Sequence, residues 1–258
     1  MTSTRETGAW IRRYHPAPDA QVCLVCLPHA GGSASYWFPM SAALAPCVDV
    51  LSVQYPGRQD RLAEPCRESV AELAEEVAEA LAPYTGGPLA LFGHSMGAVV
   101  GFEVARRLEE CGTVPAALFV SGRRAPSLHR DENVHRRDTD GIVAELRRLG
   151  GTDPRAFADP DILDLILPAV RADYKAVESY RYAPGPPLSS PLHALIGDTD
   201  PRVTPDEARA WRPHTTGDFA LRVFSGGHFY LTDHQPAILR LITDALLPTA
   251  ATANPLKS

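Results

Sequence analysis

The chain alternates between two kinds of apolar pattern. Short aliphatic runs recur at "VCLVCL" (22–27), "VDVLSV" (48–53), "PLALFG" (88–93), "AALFVSG" (116–122), "LHALIG" (192–197) and "FALRVFSG" (219–226). Several are continuous rather than interleaved with polar residues, which is how strands covered on both faces read. Between them lie stretches with apolar residues at helical spacing: 68–84, 95–112 with Gly112 as a C-cap, and 235–248. This alternation predicts an α/β fold, with a mostly parallel central sheet and helices on both faces.

Residues 127–190 break the pattern. They hold two helical stretches, "DTDGIVAELRRLGG" and "DPDILDLILPAVRADYKAVESYRY", and no clear strand. Long excursions from a compact domain are usually functional. Ligands of open α/β sheets bind beyond the C-terminal ends of the strands. The segment is therefore expected to be a helical lid inserted into a single domain spanning 1–248. The polar tail, 249–258, is expected to be disordered.

Composition narrows the classes. A 258-residue chain with 45% hydrophobic and 22% charged residues is ordinary for a globular protein. The net charge of -6 argues against a nucleic-acid binder. No apolar stretch reaches the ~20 residues of a membrane span, and the first residues lack the apolar core of a secretory signal. The expectation is a cytoplasmic protein. The five cysteines are an odd number at scattered positions, which does not suggest a disulfide framework. Cys23 and Cys26 form a CxxC, but it lies inside a predicted strand and no second pair follows, so buried structural cysteines are expected there.

The sharpest local signal is "LFGHSMGA". A strand ending at Phe92 and a helix starting near Ser95 leave almost no loop. Glycines at 93 and 97 remove the two Cβ atoms that so tight a turn would force together. This is the GxSxG nucleophile elbow, which lifts a serine hydroxyl clear of the sheet. The motif alone arises by chance in about one chain in ten of this length, given ordinary glycine usage; its strand–turn–helix setting makes it informative. A serine needs a base, and in this arrangement the chain order is serine, acid, histidine. His228 follows the last predicted strand on a Gly-Gly turn. His193 lies at a strand start, and His214 and His234 fall on expected surface segments. The acid should follow the preceding strand, in "IGDTDP". Asp200 sits further out on that turn and is the expected acid; Asp198 is better placed to shape the turn through backbone hydrogen bonds. Two N–H donors for an oxyanion should come from Met96 and from the loop "LPHAGG", with Ala30 the expected donor and His29 its competitor. His29, Trp37 and Phe229 are candidate pocket residues.

Taken together, "LPHAGGSASYW", "VQYPGRQDRLAEP", "LFGHSMGA", "SGRRAP", "IGDTDPRVTPDEARAW" and "FSGGHFYL" resemble the type II thioesterases, stand-alone α/β-hydrolases that accompany polyketide synthases and nonribosomal peptide synthetases. The resemblance runs from about residue 10 to about residue 247, with the motifs in the family's order. It implies Ser95 as nucleophile, Asp200 as acid, His228 as base, and Ala30 and Met96 as oxyanion donors. It implies removal of wrong or stalled acyl groups from phosphopantetheinyl acyl or peptidyl carrier domains, without metal or cofactor, by a protein expected to be a monomer. A small-molecule esterase or acyltransferase on the same fold is the main alternative, since fold and triad do not settle a substrate. A non-catalytic acyl-carrier binding protein is a second, disfavoured because no triad member is missing. Arginine pairs at 123–124, 136–137 and 147–148 are candidates for guiding an acidic carrier, because the chain as a whole is acidic.

Overall fold

The computed structural model describes residues 8–151 and 157–247. The expected disordered tail, 249–258, lies outside the described residues. A seven-stranded sheet is built from β1 (Ile11–Arg12), β2 (Cys23–Leu27), β3 (Asp49–Val53), β4 (Leu89–His94), β5 (Leu118–Ser121), β6 (Leu192–Gly197) and β7 (Phe219–Phe224). Their spatial order is β1-β3-β2-β4-β5-β6-β7, and only β1 runs antiparallel to its neighbour. The helices are α1 (Phe38–Leu44), α2 (Val70–Leu81), α3 (Met96–Glu110), α4 (Thr139–Leu149), α5 (Pro160–Ser179), α6 (Pro205–Arg209) and α7 (Gln235–Leu246).

The continuous apolar runs have a direct explanation. Side chains alternate across a strand, and here both faces meet helices. Val25, Leu27, Leu89, Leu91, Leu118, Val120, Leu192 and Ala194 point into one core with residues of α2 and α3. Leu24, Cys26, Ala90, Phe92, Phe119 and Leu195 point into the other, with residues of α1 and α7. β4, at the centre, is buried at every position. Cys23 and Cys26 differ by an odd number of positions and therefore contribute to opposite cores. They cannot meet to bind a metal or form a disulfide, and burial pushes both thiols above their ordinary pKa.

The main strands and helices fall where the pattern puts them. Three short elements escaped it. β1 has two residues, α1 seven and α6 five, too short for periodicity to register. α6 is instead fixed by a capping box, in which Thr204 Oγ1 accepts from Glu207 N at 3.2 Å and Glu207 Oε2 accepts from Thr204 N at 2.9 Å. Residues 127–190 hold α4 and α5. Asp138 caps α4 by accepting from Gly141 N at 2.9 Å, and Gly150 closes it at φ 85°. The two helices share an apolar cluster of Val134, Ile142, Val143, Leu146, Leu167, Val170 and Tyr174. Ala30, from the loop after β2, packs against that cluster.

Candidate active site

Ser95 sits between β4 and α3 with φ 55° and ψ −113°, one of two non-glycine residues with positive φ among the described residues. Such a conformation costs about 1–3 kcal/mol and persists only where its surroundings enforce it. They do so here. The Ser95 N–H donates to Ser121 O at 2.8 Å, pinning the turn to β5. A Cβ at Gly93 would lie 2.0 Å from Gly97 O, and one at Gly97 would lie 2.2 Å from Leu27 O. No side chain fits at either position, so the two glycines are what let strand and helix meet.

His228 follows β7 and is 2% exposed; Asp200 follows β6 and is 8% exposed. His228 Nδ1 lies 3.0 Å from Asp200 Oδ1 and 2.9 Å from Oδ2. Arg202 N donates to Asp200 Oδ1 at 2.8 Å, which fixes the carboxylate. Asp198 has a different task. Its Oδ1 accepts from Gly226 N at 2.8 Å and ties the β6 turn to the β7 turn. Sequence reading passed over Gly197, which makes that approach possible: a Cβ there would lie 2.3 Å from both Gly226 O and Gly227 O.

The loop after β2 presents Ala30. Its N–H has no protein acceptor among the described residues. The Met96 N–H opens α3, where the first-turn donors have no intrahelical acceptor. His29, Ala30, Ser95, His228 and Phe229 line one cavity of about 20 Å³, together with Leu146, Leu149, Gly151 and Tyr174 from residues 127–190. That is room for about one water. Gly151 lies directly on the Phe229 ring, since a Cβ there would be 2.0 Å from Phe229 Cζ. Of the three candidate pocket residues, His29 and Phe229 are in place and Trp37 is not. Trp37 is 1% exposed and packs edge-on against Phe92 at 5.4 Å, inside the α1–α7 core.

Two neutral histidines flank the cavity. Burial, then the nearby His228 and His29, drive the pKa of His94 well below its ordinary value. Burial, then His228 and Arg58, push that of His29 down to about 3. His94 Nδ1 lies 2.9 Å from Ser121 Oγ, which lies 2.7 Å from Tyr230 OH. Sequence reading had no signal for this chain, because its members are remote in sequence and unremarkable alone. His214 was expected on the surface. It is 5% exposed instead, with Nε2 2.9 Å from Ser127 Oγ and its ring among Phe102, Tyr182 and Trp211. A short 3-10 turn folds it inward, which no periodicity reports.

The three arginine pairs differ in availability. Arg124 is 3% exposed and pairs with Glu132 at 2.8 Å. Arg147 lies over the Phe157 ring and Arg148 pairs with Glu145 at 2.6 Å. Arg136 and Arg137 are exposed, and Arg137 also reaches Glu145, at 3.3 Å. Among the described residues, no group of three or more His, Cys, Asp or Glu side chains gathers as a metal site. No described helix is long and apolar enough to cross a membrane.

Comparison with known proteins identifies the family. The thioesterase-domain family model matches residues 23–246. Thioesterase PikA5 of Streptomyces venezuelae is 56% identical over 246 residues, 95% of this chain and 88% of its own length. The type II thioesterase BorB, from the borrelidin biosynthetic cluster, superposes with a TM-score of 0.87 at 54% identity, covering 92% of this chain and 98% of BorB. The RedJ thioesterase, from the prodiginine pathway of Streptomyces coelicolor, gives a TM-score of 0.85 at 39% identity, covering 90% and 94%. The chain therefore belongs to the thioesterase family, among its type II thioesterases, and is a hydrolase acting on thioesters.

Proposed function

We propose that this enzyme clears aberrant or stalled acyl groups from the phosphopantetheine arms of acyl or peptidyl carrier domains, in a polyketide or nonribosomal peptide synthase. The biosynthetic settings of the borrelidin and prodiginine relatives support the carrier assignment. The observation that carries the chemistry is the buried Asp200–His228 pair, at the same sheet edge as a serine held in strained backbone. Asp200 engages Nδ1 of His228 and leaves Nε2 to take the Ser95 proton. Ser95 Oγ attacks the thioester carbonyl, and the charge on its oxygen is met by the Ala30 and Met96 N–H groups, each worth about 3 kcal/mol in such sites. The pantetheine thiol leaves with the proton from His228. Water, deprotonated by His228, then releases the acid and restores Ser95. No metal or cofactor takes part in this scheme.

We read α4 and α5 as a lid on the single domain. Leu146, Leu149 and Tyr174 close the cavity to about 20 Å³, so an acyl chain enters only when they move. We place the enzyme in the cytoplasm, as a monomer. The test is twofold. Intact-protein mass spectrometry should show an acyl adduct on the wild type and none on Ser95→Ala. Turnover of a carrier-bound thioester should exceed that of the matching oxygen ester. Equal rates on both would favour a general esterase.

A further inference from the structure

The loop after β2 is held by side chains that arrive from far along the chain. The Gly31 N–H donates to Asp173 Oδ2 at 2.7 Å. Asp173 lies on α5 and is fully buried. Arg58, from the segment after β3, donates to Asp173 Oδ2 at 2.5 Å and to Oδ1 at 2.9 Å. The same guanidinium donates to Gly32 O at 3.1 Å. Gln54 accepts from Ala34 N at 2.8 Å and donates to Arg58 O at 3.1 Å. Within the loop, Gly32 N donates to His29 O at 2.9 Å. The bonds to Gly31 N, Gly32 O, Gly32 N and Ala34 N hold peptide groups next to, or just beyond, Ala30, and the Gln54–Arg58 and Arg58–Asp173 bonds hold their anchors. The Ala30 N–H, between these anchored groups, has no protein acceptor among the described residues.

Gly31 closes the arrangement sterically. Its φ is 76°, and a Cβ there would lie 2.7 Å from Val170 Cγ2, on the same face of α5 one turn before Asp173. The loop therefore lies flat on α5. Arg58 is held in its charged form against burial by Asp173. Both carboxylate oxygens and the guanidinium are satisfied, the condition under which a buried ion pair fixes geometry.

We propose that Asp173 and Arg58 are positioning residues for thioester hydrolysis: they hold the β2 loop so that the Ala30 N–H points at the developing oxyanion. Neither touches substrate. The proposal rests on Ala30 being an oxyanion donor. It also makes α5 part of the machinery, because the helix that covers the cavity supplies the carboxylate that aims the donor. Preorganised donors act through small errors in direction, so loss of the anchor should weaken transition-state binding and leave ground-state binding intact.

The test replaces the pair by Arg58→Met with Asp173→Leu. Exchange of a buried ion pair for apolar residues of similar size is often neutral for stability, so the variant separates positioning from folding. Two ligands are compared. A trifluoromethyl ketone adds to Ser95 as its proton passes to His228, and the former carbonyl oxygen becomes an oxyanion. A thioether analogue of the substrate binds without any oxyanion. The expected result is a kcat about 10- to 100-fold lower with KM little changed, ketone affinity reduced in parallel, and thioether affinity within twofold of wild type. Asp173→Asn, which keeps shape and one acceptor oxygen, should show a smaller loss of the same kind, and decides the matter if the double variant does not fold. A folded variant with wild-type kcat and ketone affinity overturns the proposal. If the wild type itself binds the ketone no more tightly than the thioether, the reading of Ala30 as donor fails instead.

Discussion

His228 Nδ1 lies between the two carboxylate oxygens of Asp200, at 3.0 and 2.9 Å, in a contact that water scarcely reaches. Asp198, two residues earlier, spends its carboxylate on Gly226 N instead. The two acids can therefore be told apart by experiment. Asp200→Asn should keep the fold and lower kcat by about 10³–10⁴, because an amide stabilises the wrong imidazole tautomer and no longer supports the imidazolium. Asp198→Ala should cost stability, about 1 kcal/mol for one lost hydrogen bond, and reduce kcat far less. Steady-state kinetics on a short thioester decide. A larger kcat loss for Asp198→Ala would exchange the two assignments.

Acid should unfold this protein through its buried histidines. His29, His94, His193 and His214 all have folded-state pKa values below the ordinary 6.5, with burial the leading cause in each. The unfolded chain takes up protons on these rings as pH falls through about 6.5, while the folded chain does not. Stability is therefore fully present above that pH and falls as pH drops toward the folded values, by about 1.4 kcal/mol per pH unit for each ring kept neutral. Urea unfolding between pH 6.5 and 4.5 measures the slope. His94→Gln should flatten it by one proton's worth, and an unchanged slope would show that His94 protonates freely in the native state.

Acyl-chain selection should respond to Leu149. This side chain, half-buried at the end of α4, lines the Ser95 cavity. Leu149→Ala should raise kcat/KM for a hexanoyl thioester relative to an acetyl one, by up to about tenfold for 1.4 kcal/mol of relieved crowding. A ratio unchanged from wild type would mean that the chain enters elsewhere.

The arginine pairs should separate into structural and docking roles. Arg124→Gln removes one of the partners of Glu132, which keeps Arg202 at 2.9 Å, and should destabilise the fold by about 1–3 kcal/mol, as seen in thermal unfolding. Arg137 reaches the buried Glu145, so the docking test uses its neighbour: charge reversal at exposed Arg136 should spare the fold. It should reduce kcat/KM for carrier-bound substrate, an effect that shrinks at high salt, and leave a short thioester untouched. Equal loss on both substrates would place Arg136 in the fold rather than at a docking surface.

Much of this was legible from residues alone, for physical reasons. Strands covered on both faces leave continuous apolar runs, so β2, β4 and β6 announce themselves. The elbow needs glycine at fixed offsets, so Ser95 does too. His228 and Asp200 follow from where a parallel sheet must end its strands. The rest depends on contacts remote in sequence. Nothing around Asp173 says that it meets Gly31 and Arg58. Trp37 looked like a pocket residue, yet the 3-10 turn before α1 packs it against Phe92 in the core. His214 looked exposed among polar neighbours, and a 3-10 turn buries it. Side-chain direction in such short elements is set by tertiary packing, which leaves no period to read.

The backbone at Ser95 has a consequence for how this sequence can drift. A left-handed torsion strains serine and alanine alike, so Ser95→Ala removes the hydroxyl and keeps the strain. Glycine adopts the same torsion freely. Ser95→Gly should therefore yield a protein about 1 kcal/mol more stable than its parent, after allowing for the extra freedom of glycine in the unfolded chain, and catalytically dead. In the proposed mechanism, the positive-φ residue of the elbow is also the nucleophile. Selection for robustness alone would erase the nucleophile, and its persistence in a lineage is a record of turnover under selection rather than of folding.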